Sequence, residues 1–225
     1  MKLKVNYFEN IINLNDDHVQ VIEIENKKTF YRFISNLYAM KNGDKLNEIY
    51  FYNKLNEEIN INEKIEVYTD FFNFDFNSKK NLSSLNKCII NYLSPDTKEA
   101  ILNNFQKLYK IISKHLFDFD LPLEISDNVN LEDVLKLMKI SINNKNDLLD
   151  NLLLLIDLEN MLKVNNILFF VNLKQLLSKD EIIEFYKYAI YNNIKIVLID
   201  SQSYGIKLEY ENKLIIDENL DEFVL

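Results

Sequence analysis

The chain of 225 residues contains two glycines, two prolines, one cysteine and a single arginine, Arg32. Each shortage excludes something. A P-loop cradle needs G-x-x-x-x-G-K-[ST], because only glycines let successive backbone N–H groups wrap a phosphate at a helix N-terminus. Here Lys28-Thr29 follows the apolar run VQVIEIE (Val19 to Glu25) where that motif would end, but the glycines, Gly43 and Gly205, lie elsewhere. The turn therefore reads as an ordinary strand-to-helix junction with Asn26 or Thr29 near the cap. One cysteine excludes an internal disulfide, and with only His18 and His115 beside it a tetrahedral zinc site would have to lean on carboxylates. Helical spacing puts Cys88 among Leu85, Ile89 and Tyr92, as a small buried residue rather than a reactive thiol. With one arginine, little bidentate reading of guanine is available; lysines hold phosphates without reading sequence. The longest apolar run, LLLLI at Leu152 to Ile156, is far short of a membrane span, and the N-terminus lacks a signal-peptide layout. The reading is a cytoplasmic protein with no membrane partner.

What is present is a globular composition, 48% hydrophobic and 27% charged. The first third alternates strand-like LKVNYF, HVQVIEIE, EIYFYN and KIEVYTD with a helix carrying Phe30, Phe33, Ile34 and Leu37 on one face. The last third repeats the pattern with NILFFVN, a helix from Lys179 to Tyr191, NIKIVLID and NKLIIDE. Continuous apolar runs alternating with helices predict a mostly parallel sheet covered on both faces. Between them the period changes to 3.6, predicting helices over Ser83–Tyr92, Pro95–Phe117, Leu131–Ile140 and Asp147–Val164. Pro95 after Ser94 suits the first helical position. The predicted fold is thus α/β: a head related to P-loop nucleotide-binding folds but without the phosphate loop, residues 1–76 and 165–225, with an inserted helical leg over residues 77–164.

The net charge of −9 argues against nucleic acid, but its distribution does not. From Ser78 to His115 seven lysines face two acids, a local +5 that leaves −14 for the remainder. Lys107, Lys110 and Lys114, at i, i+3 and i+7, form one stripe of the long predicted helix, opposite Ile101, Phe105, Leu108 and Ile112. A solvated outer face and a phosphate-binding face both fit this pattern. Lys79, Lys80 and Lys87 extend the charge excess. The stretch FDFDLPLEISDNVNLED supplies Asp118, Asp120, Glu124, Asp127, Glu132 and Asp133, hard oxygen ligands suited to calcium or magnesium, without the spacing and central glycine of an EF-hand. Surface acids and a metal site both remain open. IVLID ends in Asp200, a lone carboxylate at a strand end, and ILFFVN ends in Asn172, where a nucleotide hydrolase would hold magnesium.

Taken in order, the segments MKLKVNYFENIINL, VQVIEIENKKTFYRFI, EVYTDFFNFDFNSKKNLSSL, LPLEISDNVNLEDVLKLM, NILFFVNLKQLLSKDEIIEFYKYAIYNNIKIVLID and NKLIIDENLDEF resemble the short form of the Csn-two family, the accessory spacer-acquisition (adaptation) protein of type II-A CRISPR systems. The resemblance covers nearly the whole chain and carries no catalytic signature. It implies a homotetrameric ring of heads with helical legs, without enzymatic activity and without a nucleotide. Double-stranded DNA would thread the positively charged hole from free ends without sequence preference, assisting the CRISPR integrase pair and the effector nuclease. It also implies structural calcium, with the family's acidic loop falling on Glu124 and Asp127 and on Asp120 as an addition. The DNA-binding set read from the local charge excess is Lys79, Lys80, Lys87, Lys107, Lys110 and Lys114. Two alternatives stand beside it: a degenerate P-loop-like phosphotransferase using Lys28 and Thr29, and a protein-interaction scaffold docking through IDENLDEFVL.

Overall fold

The computed structural model describes residues 1–44, 48–61, 64–116, 118–126, 128–163 and 167–225. Two compact units divide the chain: Met1–Phe74 with Asn144–Leu225, and Asp75–Asn143. In the first, six strands form a sheet in the order β5 (Ile65–Tyr68), β6 (Ile167–Val171), β7 (Lys195–Asp200), β3 (Val19–Ile24), β8 (Glu211–Ile216), β9 (Glu222–Val224). All neighbours are parallel except β9, which runs antiparallel along β8. Every residue of β3 and β6 is buried, as expected of strands covered on both faces.

A separate three-stranded antiparallel sheet, β2 (Ile12–Asn13), β1 (Lys2–Val5) and β4 (Ile49–Tyr52), buries Leu3, Val5, Ile49 and Phe51 toward one face of the large sheet. The sequence reading did not separate these strands from the parallel set. Their true signal is alternation, with every second residue buried in β1 and β4, where β3 and β6 are buried throughout. Helix α1 (Lys27–Lys41) packs into the same core through Phe33, Leu37 and Met40. On the other face, α6 (Lys179–Tyr191) follows β6 and packs with α5 (Leu148–Leu162). Phe185 of α6 meets Phe170 edge-on at 5.3 Å between ring centroids, and Tyr68 stacks on Phe170 at 5.2 Å. Ser178 and Glu181 form a reciprocal capping box that starts α6.

The second unit contains α2 (Lys79–Tyr92), α3 (Pro95–Leu116) and α4 (Leu131–Leu137), and α4 packs against both others. Helix α2 begins four residues earlier than its periodicity predicts because Ser78 accepts a hydrogen bond from the Asn81 amide. Pro95 does open α3, with Ser94 Oγ accepting from the Thr97 amide at 3.2 Å. Helix α4 stops at Leu137, short of Ile140, where Lys139 turns left-handed.

The inserted unit ends at Asn143, not at residue 164. Helix α5 belongs with the sheet because Leu152, Leu155, Ile156 and Leu158 are buried along it, too apolar a helix to stand in a solvated extension. Its predicted end at Val164 lies outside the described residues; the helix closes at Leu162 with Lys163 in the left-handed region. Where the insert leaves and returns, Asn77 Nδ2 donates to the Ile142 carbonyl at 2.9 Å and the Ile142 amide donates to Asn77 Oδ1 at 2.7 Å. Among the described residues no helix is long and apolar enough to cross a membrane.

Candidate nucleic-acid interface

The connection between β3 and α1 is two residues, Glu25 and Asn26. That is too short to encircle a phosphate, and several of its polar groups are committed to other hydrogen bonds. Asn26 Oδ1 accepts from the Thr29 amide at 3.1 Å, its Nδ2 donates to the Glu218 carbonyl at 3.0 Å, and the Glu25 amide donates to Ile216. Asn26 is therefore the cap, and Lys28 projects into solvent. Asp200 does end the strand beside β3, opposite Glu23, but it is fully buried. The one arginine is likewise committed internally: Arg32 pairs with Glu48 and lies 4.2 Å from the centroid of the Tyr7 ring. Hydrogen bonding from Arg32 holds the Glu48 carboxyl below its ordinary range, while burial pushes the Tyr7 hydroxyl up to about 12.

The six lysines named from the charge excess all lie in the helical unit and all are exposed. Lys79, Lys80 and Lys87 are on α2; Lys107, Lys110 and Lys114 share one stripe of α3, as three and seven residues of spacing dictate. Among the described residues Lys79, Lys87, Lys107, Lys110 and Lys114 form no ion pair, and Lys107 Nζ reaches only the Asn104 amide oxygen at 3.5 Å. Acids cancel these charges in number but not in place. Asp75–Asn143 holds nine lysines and nine carboxylates, so the whole −9 falls on the sheet unit, while α2 and α3 carry the basic excess.

The opposite stripe of α3 departs from the sequence expectation of a packed face. Ile101 and Phe105 are half-buried, but Leu108 and Ile112 are 51% and 44% exposed, and Ile111 is 60% exposed. Neither α2 nor α3 contains a buried residue, so Cys88 is half-buried rather than enclosed.

Of the carboxylates named for calcium, Asp120 and Glu124 are exposed and Asp127 lies outside the described residues. The loop is tied to α3 by Tyr109, whose hydroxyl donates to the Ile125 carbonyl at 3.4 Å. Among the described residues no group of three or more His, Cys, Asp or Glu side chains is placed to hold a metal ion. Asp118 is drawn instead toward His115, 3.3 Å away.

Sequence reasoning missed one cluster. Glu23, Glu211, Lys213 and Lys174 are buried with Asp200 in the sheet unit. Their signal was available: a charge interrupting an otherwise apolar strand, as in VQVIEI or ENKLII, must be paired if the strand is covered on both faces.

A mostly parallel sheet interrupted by a helical insert that carries exposed lysines defines a class of mixed α/β protein. The family model described as CRISPR-associated protein (Cas_Csn2) matches residues 38–220, and the chain belongs to that family. Among solved structures it is similar to the crystal structure of Stu0660 of Streptococcus thermophilus, with a TM-score of 0.64 at 16% sequence identity, over all of this chain and 76% of that one. That likeness concerns the fold. Curated proteins yield no match.

Proposed function

We propose that this CRISPR-associated protein is a non-catalytic binder of double-stranded DNA ends that assists spacer acquisition in the cytoplasm, working as a homotetrameric ring beside the integrase pair and the effector nuclease. The observation that carries the reading is the exposed lysine stripe Lys107, Lys110 and Lys114, without an ion pair among the described residues, on a helical unit that bears none of the chain's net negative charge. Ammonium groups at this spacing neutralise backbone phosphates without reading bases. Lys79, Lys80 and Lys87 on α2 add to the basic excess of the same unit, and Asp75–Asn143 serves as the leg. The exposed Leu108, Ile111 and Ile112 support self-association, because a helix so lightly buried gains most from a partner's cover. The sheet is read as a P-loop relative whose loop has shrunk to Glu25 and Asn26, which supports a function without nucleotide turnover.

Calcium at Glu124, Asp127 and Asp120 rests on the resemblance alone; binding calorimetry with calcium, on the native chain and Glu124→Gln, decides it, and no heat in either removes the metal. The main test is a gel shift of linear against covalently closed circular duplex at rising salt, with light scattering for ring size. Binding to linear DNA that weakens steeply with salt is expected. A confirmed tetramer that binds neither form would overturn the reading and favour a protein scaffold.

A further inference from the structure

Five charged side chains lie buried together beneath the segment Ser201–Tyr210, which joins β7 to β8: Glu23, Asp200, Glu211, Lys213 and, from the 3-10 turn Leu173–Gln175, Lys174. Alternation along the strands sets the first four on the face turned to α6. Lys213 Nζ donates to Glu23 Oε1 at 2.7 Å, and Lys174 Nζ stands 2.6 Å from Glu211 Oε1. Tyr186 of α6 donates its hydroxyl to Glu211 Oε1 at 2.8 Å. Two ammonium groups thus balance two glutamates. Asp200 is the third carboxyl, fully buried, and neither of its oxygens has a hydrogen-bond partner among the described residues.

The same cluster fastens the segment above it. Ser203 Oγ and the Tyr204 amide donate to Glu23 Oε2 at 2.9 and 3.3 Å. The Leu208 amide donates to Glu211 Oε2 at 3.0 Å, and Lys213 Nζ to the Ile206 carbonyl at 2.7 Å. Gly205, left-handed at φ +65°, makes the bend between these anchors. The strap is held by the neighbours of the one uncompensated carboxyl.

We infer that Asp200 is a proton-binding site that latches the Ser201–Tyr210 strap over the carboxyl ends of β3 and β7, closed while the proton is bound and released when it leaves. Charge count gives the reason. The groups facing Asp200 are Glu23 from β3, Glu211 and Lys213 from β8, Lys174 from the 3-10 turn, Tyr186 from α6 and Tyr204 from the strap. With a proton on Asp200 the cluster is neutral. Without it, three carboxylates share two ammonium groups in a dry site, and the new charge stands directly opposite Glu23, which carries two of the strap's hydrogen bonds. Burial raises Asp200 to about 7, against the opposing attraction of Lys174. Two ammonium groups already fill the cluster, which disfavours a metal cation as the balancing charge. β3 leads into α1 on one face and β7 into the strap on the other, so their carboxyl ends form the crevice where open parallel sheets take ligands. The strap closes it.

Amide hydrogen exchange of residues 201–210 in the full chain, corrected for chemical exchange and read by mass spectrometry from pH 5 to 8, tests the latch. The opening constant should rise about tenfold per pH unit from pH 5 to 7 and level off above, since the open state loses its proton near the ordinary carboxylate range. Asp200→Asn should stay closed and flat. A flat native profile, or the native slope persisting in Asp200→Asn, overturns the inference. So does opening set by sodium or potassium at fixed pH and ionic strength, which would make the ligand a metal cation. Ser203→Ala removes an anchor without altering the cluster's charge; it should raise opening about fivefold at every pH with the slope intact. Loss of the slope in that variant overturns the latch as well.

Discussion

The two compact units are built on opposite plans. The sheet unit holds nearly all the buried apolar side chains, while in Asp75–Asn143 only Phe76 and Leu135 are buried among the described apolar residues, and the two longer helices have none. A core of that size stabilises its own fold; a helical unit with so little enclosed surface is stabilised by caps, by spacing and by whatever covers it. The difference also separates roles. Of the five clustered charges inside the sheet unit, all but Asp200 are paired, whereas the lysines of α2 and α3 are exposed.

The contrast is broken most severely by emptying the sheet's interior. Phe185→Ala removes a fully buried ring from its edge contact with Phe170, and equilibrium denaturation should show a loss of about 3–5 kcal/mol. Phe105→Ala, on the half-buried stripe of α3, should lower stability of the chain by only about 1 kcal/mol. Equal losses would mean that the helical unit has a core of its own.

Next in size is the pH dependence of the sheet unit. Asp200 is raised from 3.8 to about 7, so the folded state holds a proton that the unfolded state has released. Its contribution is fully present below about pH 4 and is lost as pH rises to about 7. Asp200→Asn should therefore stabilise the chain at pH 7.5 by several kcal/mol, on the order of 3, with no gain at pH 4, as read from urea titrations at both values.

Charge reversal of Lys107, Lys110 and Lys114 to Glu should weaken linear-duplex binding at least about a hundredfold, near 2.7 kcal/mol, and flatten the salt dependence by about three in log–log slope. Unchanged affinity would make the stripe a solvated face. Smaller again, Asn26→Ala removes the α1 cap and should lower stability by about 1 kcal/mol in thermal unfolding. Lys28→Ala should leave nucleotide binding at background in calorimetry, as in the native chain.

The parallel strands were legible because burial on both faces writes itself as an unbroken apolar run: ILFFV and KIVLID became β6 and β7 with little error. The small antiparallel sheet was not, since LKV and IYFY are too short for alternation to declare a separate layer. The limit of the insert was misplaced for a related reason. Leu148 to Leu162 reads as one more helix in a helical stretch, and only its high apolar content, broken by a narrow exposed strip at Asp150, Asp157 and Asn160, marks it as belonging to the sheet. The lysine stripe followed from spacing, but the exposure of Leu108 and Ile112 did not, because periodicity shows which residues share a face and not whether anything covers it.

The paired hydrogen bonds of Asn77 with Ile142 have a bearing on how such a chain changes over time. On the sheet side of the junction, Asn144 Nδ2 reaches the Phe74 carbonyl at 3.5 Å, so both sides of the boundary are closed by asparagine side chains. A segment whose two ends are held side by side acts as a cassette. It can be lengthened, shortened or exchanged without shifting the register of a single strand, which leaves the sheet's sequence under one set of constraints and the insert's under another.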